Sequence, residues 1–417
     1  MKYGLIGEKL GHSFSKEIHE QIENYTYTLC ELSPDELDSF MTKREFCAIN
    51  VTIPYKEKVI PYLDYVSDRA KAIGAVNTIV NIDGKLYGYN TDCLGLSALM
   101  RKADIFPKGK KVLILGTGAT SKTARSVADE LGAGEIIIVG RSPKDGSITY
   151  DEMYKSHRDT DIIINTTPCG MYPDCTQSPV DITEFTSLSG VVDVIYNPLR
   201  SPLVTKAKSL GINAVGGLYM LVSQAIYAIE KFVGREYDET LADSIYNSIK
   251  SSKENIVLVG MPSSGKSTIA RELAALTGRE MTDTDQLIVT THNMPIPDIF
   301  KNFGEKVFRK WESEAVKEVS KKSGVIIATG GGAVLNPDNV AALRQNGKIY
   351  FIDRPLEALF PTSDRPLAQN KEAIINLYNE RYPIYTSSAD SIVINNKSTS
   401  ELSDAIILMH NLGGDKS

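Results

Sequence analysis

The chain has little from which to build a metal centre or a covalent framework. Its five cysteines, Cys30, Cys47, Cys93, Cys169 and Cys175, are odd in number and include no Cys-x-x-Cys pair. That pattern argues against a disulfide scaffold and leaves reduced thiols as the reading. Five histidines are scattered without ligand spacing, so no structural zinc is expected. No apolar run is long enough to cross a bilayer, and the opening Met-Lys-Tyr-Gly-Leu-Ile-Gly-Glu turns polar too early for a secretory leader. Basic charge is not in excess. A net charge of −6 over 417 residues weighs against nucleic-acid binding but not against a small anionic substrate. Internal repeats and low-complexity tracts are missing as well. A cytoplasmic protein of ordinary globular make-up is expected, 42% hydrophobic and 24% charged. Its length allows roughly three domains at about 150 residues each.

What is present is alternation. Short apolar runs at Tyr3–Ile6, Ile49–Val51, Val112–Leu115, Ile136–Val139, Ile162–Ile164, Val191–Val194, Ile256–Val259, Val325–Ala328 and Ile349–Ile352 are separated by helical patterns. Brief runs with Gly-rich ends read as buried parallel strands, and their alternation with helices gives the α/β class. The polar, Ser/Lys-rich segment Ile245–Glu254 marks the main domain boundary near Ser251. A softer boundary lies at Phe106-Pro107-Lys108-Gly109, and the helical run Tyr219–Val233 can return the chain to the first lobe.

Two nucleotide loops stand out. After the strand Lys111–Leu115 comes Gly116-Thr117-Gly118, then a helix with Ala124, Val127 and Ala128 inward. The first glycine permits the turn and the second lets backbone N–H groups approach a pyrophosphate. Ser121 replaces the third glycine. The next strand ends in Gly140-Arg141-Ser142, with Lys144 nearby and no acid for a ribose hydroxyl. Arg141 reads either as a solvated loop cation or as the partner of a 2′-phosphate, and the missing acid favours the second, hence NADP(H) over NAD. The other loop, Gly260-Met-Pro-Ser263-Ser264-Gly265-Lys266-Ser267, sits between a strand and a helix as a P-loop requires. Its N–H groups, with Thr268 following, would cradle ATP phosphates; Lys266 would reach the β/γ oxygens and Ser267 would meet Mg²⁺.

In the first third, Gly11-His12-Ser13-Phe14-Ser15, Asn50-Val-Thr52-Ile-Pro54-Tyr-Lys56, Gly74-Ala-Val-Asn77-Thr78 and Gly88-Tyr-Asn90-Thr91-Asp92 follow one another. Taken singly, Ser13, Ser15 and Asp92 read as helix caps and Lys56 as a surface lysine. Together they make a set of hydroxyls, amides, one ammonium and one carboxylate suited to a polyol. With Asn165-Thr-Thr-Pro-Cys-Gly170-Met171, Asp193-Val-Ile-Tyr196-Asn-Pro198 and Gly216-Gly217-Leu-Tyr-Met220-Leu-Val-Ser-Gln224, this set resembles shikimate dehydrogenase over about the first 240 residues. The resemblance implies reduction of 3-dehydroshikimate to shikimate with NADPH. It implies Ser13, Ser15, Thr52, Asn77, Asp92 and Gln224 on the substrate with Tyr196 close by, and Lys56 and Asp92 as the catalytic pair. The implied cofactor contacts are Gly116, Gly118, Ala119, Arg141, Ser142, Gly217 and Met220. Hydride delivery to a ketone develops an alkoxide; Lys56 can donate to it while Asp92 orients and balances the ammonium.

Beyond the P-loop stand Met281-Thr-Asp283-Thr-Asp285, Phe303-Gly304-Glu-Lys-Val-Phe308-Arg309, Thr329-Gly330-Gly331-Gly332-Ala333, Arg365-Pro366-Leu367 and Glu380-Arg381. This series resembles shikimate kinase over residues 255–410. It implies transfer of the ATP γ-phosphoryl to the shikimate 3-hydroxyl, with Asp283 near Mg²⁺, Asp285 on the attacking hydroxyl and Arg309 and Arg381 on the substrate carboxylate. Gly330, Gly331 and Gly332 would pack on the ring, and Arg365 would reach in from a lid. The bland alternative for Arg309 and Arg381 is surface pairing with Glu312 and Glu380. The family's lid often carries another basic residue before Arg-Pro-Leu; here Leu359–Asp364 supplies none, which implies weaker nucleotide binding.

The expected layout is a substrate lobe at 1–102 with 220–250, a Rossmann NADP lobe at 103–219, and a P-loop kinase domain with a parallel sheet at 251–417. The expected partners are the two small acids, with neither nucleic acid nor membrane; the oligomeric state is open. A quinate/shikimate-type dehydrogenase joined to a weakly active or ligand-sensing kinase-like domain is the alternative.

Overall fold

A computed structural model describes residues 1–11, 13–142, 146–238, 240–359 and 370–411. It divides between Ile249 and Lys250 into two compact units. The division falls inside a helix, Thr240–Lys253. The segment read as a polar linker is therefore helical up to Lys253; it looks polar because only one face, with Ile245 and Ile249, is buried.

Among the described residues the first unit holds two six-stranded sheets. The first contains β1 (Tyr3–Gly7), β2 (Tyr27–Glu31), β3 (Ala48–Val51), β4 (Tyr65–Val66), β5 (Thr78–Ile82) and β6 (Lys85–Tyr89), in the order β2-β1-β3-β5-β6-β4. It is mixed rather than parallel. β1 runs parallel to β2 and β3, whereas β5 is antiparallel to both β3 and β6. The cause is local: Asp83 and Gly84 link β5 to β6 at φ 51° and 80°, the left-handed pair that a tight two-residue hairpin requires. An Asp-Gly dipeptide between apolar runs carries that signal in the sequence.

The second sheet contains β7 (Lys111–Leu115), β8 (Glu135–Gly140), β9 (Ile148–Thr149), β10 (Ile162–Asn165), β11 (Gly190–Asp193) and β12 (Asn213–Val215). All are parallel, in the order β12-β11-β10-β7-β8-β9. Its inner strands β7, β10 and β11 are buried on both faces, as their unbroken apolar runs require. Val112, Ile114, Ile162 and Ile164 pack on one side with Ala124, Val127 and Leu96. Leu113, Leu115, Ile163 and Val191 pack on the other with Leu203, Val204 and Ala207.

In each sheet the chain leaves adjacent strands in opposite directions, β1 against β3 and β7 against β10, which opens a crevice at their carboxyl ends. Ser13, Thr52, Gly116 and Thr166 all lie just beyond these strand ends. The helices Asp92–Lys102 and Leu218–Val233 pack closely because Gly95 has no side chain. A Cβ there would sit 2.6 Å from the Met220 carbonyl and 2.8 Å from the Gln224 Cβ.

The second unit is one parallel sheet of β13 (Asn255–Val259), β14 (Met281–Asp283), β15 (Ile326–Ala328), β16 (Gly347–Asp353) and β17 (Ser391–Ile394), in the order β14-β15-β13-β16-β17. Val257, Val259, Ile327 and Phe351 face Val316, Leu343 and Ile374. Ile256, Leu258, Tyr350 and Ile352 face Ile269, Leu273 and Ile406. Among the described residues no helix is long and apolar enough to cross a membrane.

Candidate active sites

In the first unit Lys56 and Asp92 form an ion pair, Nζ to Oδ2 2.6 Å, with 13% and 10% of their side chains exposed. Asp92 is the first residue of its helix, where the N-terminal end of the dipole favours a carboxylate. The cap residue is Thr91, and Asp92 is committed to Lys56 rather than to capping. The second carboxylate oxygen accepts from Asn77 Nδ2 at 2.9 Å. The same amide nitrogen lies 3.3 Å from Gln224 Oε1, so residues from two strand ends and two helices converge. A largely buried ammonium held this way keeps its charge partner.

Ser13 and Ser15 meet each other, Oγ to Oγ 3.1 Å, at the start of the helix Ser15–Ile22. Phe14 between them packs against Tyr196 with ring centroids 5.2 Å apart. Thr52 follows β3 and is tied back to β1 by its N–H on the Ile6 carbonyl, 2.9 Å.

The dinucleotide turn has the backbone it needs. Gly116 has φ +113°, and a Cβ there would lie 2.6 Å from Thr166 Oγ1. Gly118 precedes the helix Ala119–Glu130 with no side-chain cap and no acid in its first turn, so an anion suits this terminus. Ser121, where a third glycine was absent, is buried. Arg141 and Ser142 are exposed just after β8, and Lys144 lies outside the described residues. Gly217 packs under the Val194 backbone, and Met220 is part of the core beside Ala75 and Cys93.

Asn165 and Asp193, which came without a role of their own, form a buried brace. Asn165 Nδ2 donates to Asp193 Oδ1 at 3.0 Å, Ser201 Oγ donates to Asp193 Oδ2 at 2.6 Å, and Asn165 Oδ1 accepts from Thr167 N at 3.0 Å. Burial pushes the Asp193 carboxyl up to about 6, against these hydrogen bonds. The brace fixes the loop that faces Gly116.

In the second unit the P-loop runs from β13 into the helix Lys266–Thr277, with Gly260 at φ +147° and Gly265 at +95°. Lys266 is buried, its Nζ 2.9 Å from both the Gly260 and Met261 carbonyls. Ser267 Oγ donates to Asp283 Oδ2 at 2.8 Å. Asp283 Oδ1 meanwhile caps the helix Thr284–His292 through Asp285 N and Gln286 N. A hydroxyl against a carboxylate, both oxygen donors beside a phosphate loop, fits a hard divalent cation such as Mg²⁺.

Lys266, Ser267, Asp283, Asp285, Arg309 and Arg381 line one cavity of about 320 Å³. Gly331 and Gly332 line it as well. A Cβ on Gly330 would collide with Asp285, one on Gly332 with the Arg309 guanidinium, and one on Gly331 would lie 2.9 Å from Pro262. The Gly331 carbonyl accepts from Arg381 Nη1 at 3.1 Å and from the Tyr385 hydroxyl. Arg309 does pair with Glu312 at 2.8 Å and with Glu305 at 2.9 Å. The Glu312 pair is not surface pairing, because only 2% of the Glu312 side chain is exposed, whereas Glu305 is half exposed and its pair lies on the helix surface. Burial pushes the Glu312 carboxyl up, and Arg309 opposes it. Sequence reasoning missed the apolar wall of Ile296, Phe300 and Phe308, whose helical spacing reads equally as core. Arg365 lies outside the described residues.

A family model described as shikimate dehydrogenase substrate binding domain matches residues 5–79, and one described as shikimate kinase matches residues 262–410. The shikimate dehydrogenase (NADP(+)) of Clostridium perfringens strain SM101 is 37% identical over 266 residues, covering 60% of this chain and 98% of that protein. Shikimate dehydrogenase 1 from Peptoclostridium difficile is 37% identical with a TM-score of 0.56, covering 60% of this chain and 98% of its own. A chorismate mutase/shikimate 5-dehydrogenase fusion protein from Clostridium acetobutylicum is 36% identical with a TM-score of 0.56, covering 60% of this chain and 96% of its own. This chain belongs to the shikimate dehydrogenase family and continues, in the same polypeptide, into a shikimate kinase domain.

Proposed function

We propose that the first unit reduces 3-dehydroshikimate to shikimate with NADPH and that the second phosphorylates the shikimate 3-hydroxyl with ATP and Mg²⁺. The observation that carries the pairing is the cavity of the second unit. There two arginines suited to a carboxylate, a carboxylate suited to a hydroxyl and a P-loop face the same 320 Å³. The acid it would take is the product of the first reaction.

NADPH, when bound, supplies the hydride to the ring ketone. Lys56 then donates to the oxygen as it gains negative charge, and Asp92 holds the ammonium in place. Ser13, Ser15, Thr52, Asn77 and Gln224 would grip the ring hydroxyls and carboxylate, beside Tyr196. Arg141 and Ser142 would meet the 2′-phosphate and Gly116, Gly118 and Ala119 the pyrophosphate, with Gly217 and Met220 toward the nicotinamide. In the second unit ATP supplies the phosphoryl group. Asp285 orients the attacking hydroxyl and accepts its proton, Lys266 neutralises charge on the phosphates, and Arg309 and Arg381 hold the carboxylate. Ser267 and Asp283 would hold the cation, and Arg365 would come from the lid.

The test is a pair of variants assayed for both reactions. Lys56→Met should lower NADPH oxidation by on the order of 100- to 10,000-fold and leave ATP turnover with shikimate intact. Lys266→Met should do the reverse. Loss of both activities in one variant, or of neither, contradicts the assignment. Faster NADP⁺ reduction on quinate than on shikimate would move the first substrate.

A further inference from the structure

Behind Asn77 a line of hydrogen bonds continues into the core of the first unit. Tyr27 Oη donates to Asn50 Oδ1 at 2.7 Å. Asn50 Nδ2 donates to Thr78 Oγ1 at 3.2 Å and to the Asn77 carbonyl at 3.2 Å. Thr78 Oγ1 donates to Asn77 Oδ1 at 3.1 Å, and Asn77 Nδ2 donates to Asp92 Oδ1 at 2.9 Å.

The orientation of both amides in this line is fixed by backbone groups. A carbonyl only accepts, so the Asn77 carbonyl sets which end of the Asn50 amide is its nitrogen. An N–H only donates, and Thr91 N–H on Asn77 Oδ1 at 2.7 Å sets the Asn77 amide in the same way. With both amides oriented, the Tyr27 hydroxyl must donate to Asn50. Asn50 occupies an acceptor site of Thr78, whose proton is then available to Asn77. Thr78 Oγ1 also meets Thr91 Oγ1 at 3.1 Å, where either hydroxyl can donate; with the Thr78 proton on Asn77, the donors from Tyr27 onward run toward the Asp92 carboxylate. Chains polarised in one sense strengthen their last bond. Tyr27 and Thr78 are fully buried, and the His19 ring stacks on Tyr27 with centroids 3.9 Å apart, so these residues are set apart from any ligand.

We propose that Thr78, backed by Asn50 and Tyr27, is a positioning residue for the reduction: it locks the Asn77 carboxamide so that Asp92 holds Lys56 at the angle the reaction needs. The proposal rests on Lys56 and Asp92 being the catalytic pair. Thr78→Val keeps shape and removes the hydroxyl. It should lower kcat for NADPH oxidation about 10- to 100-fold, since a misplacement of about 1 Å costs on the order of 100-fold. KM for the ketone should change less than kcat, because Ser13, Ser15, Thr52 and Gln224 keep their places and only the Asn77 carboxamide is loosened. Thr78→Ser, which restores the hydroxyl, should recover most of the rate. Should Thr78→Val fail to fold, Tyr27→Phe removes only the first hydroxyl and should lower kcat by roughly 2- to 10-fold, the worth of one hydrogen bond. A variant with unchanged kcat, a loss confined to KM, or a Ser variant as slow as the Val variant overturns the proposal. Lys56→Met measured alongside separates the two failures. If it still turns over, the catalytic assignment falls; if it is inactive while the folded Thr78→Val variant, or Tyr27→Phe in its place, keeps the native kcat, only the positioning role falls.

Discussion

His19 is fully buried in the first unit, between Tyr25 and Tyr27, and burial pushes its imidazole down to about 3. His410 in the second unit is pushed down to about 4 for the same reason. An unfolded imidazole takes its proton near 6.5, so both units lose stability as pH falls below that value. Asp193 acts in the opposite sense. Its folded carboxyl keeps a proton up to about 6 while the unfolded one releases it near 3.8, so its contribution is lost as pH rises through that window. The two effects oppose each other in the first unit between about pH 4 and 6. Asp193→Asn should therefore raise the melting temperature of the first unit at pH 7 and steepen its loss below pH 6. A melting curve whose pH dependence is unchanged by the substitution contradicts this. The residue types of the site were legible because Lys56, Asp92, Asp285 and Arg381 are chemically unusual in their motifs. Asn50, Thr78 and Thr91 were quoted in those motifs without a separate role. Nothing in the identity of a threonine tells whether its hydroxyl faces a ligand or an amide behind it.

Glycines set how closely elements meet, and Gly95 is the one that brings the Asp92 helix against the Gln224 helix. Gly95→Val should force the helices apart, cost stability by overpacking of about 1–3 kcal/mol and slow the reduction, while phosphorylation by the same chain is unchanged. Equal loss of both activities would contradict that division. In the kinase domain, Asp283 uses one oxygen as a helix cap and the other on Ser267. Asp283→Asn keeps a capping oxygen but removes the charge. It should raise the Mg²⁺ concentration needed for half-maximal ATP turnover while leaving the melting temperature nearly unchanged; an unaltered Mg²⁺ dependence argues against a cation there. The inner parallel strands, such as β7, β10, β11, β13 and β15, were readable as bare apolar runs because both of their faces are buried, whereas the half-exposed strands β2, β9, β12 and β17 gave no such run. The hairpin β5–β6 was not, because its residues alternate less clearly and its signal sits in the two turn residues, Asp83 and Gly84.

At the scale of the whole chain, two units carry chemistries that share one ring acid. The order of the two nucleotide loops was legible at once, since each needs glycine at fixed places between a strand and a helix. The point of division was harder to read. A helix with one apolar face, Thr240–Lys253, runs through it, and its polar face looks like a linker in sequence. The most direct measurement supplies the purified chain with 3-dehydroshikimate, NADPH, ATP and Mg²⁺ and identifies the ring products over time. The account predicts one NADPH oxidised and one ATP consumed per phosphorylated acid formed, with the reaction stopping at unphosphorylated shikimate in Lys266→Met. Oxidation of NADPH with no phosphorylated product from the native chain would contradict it.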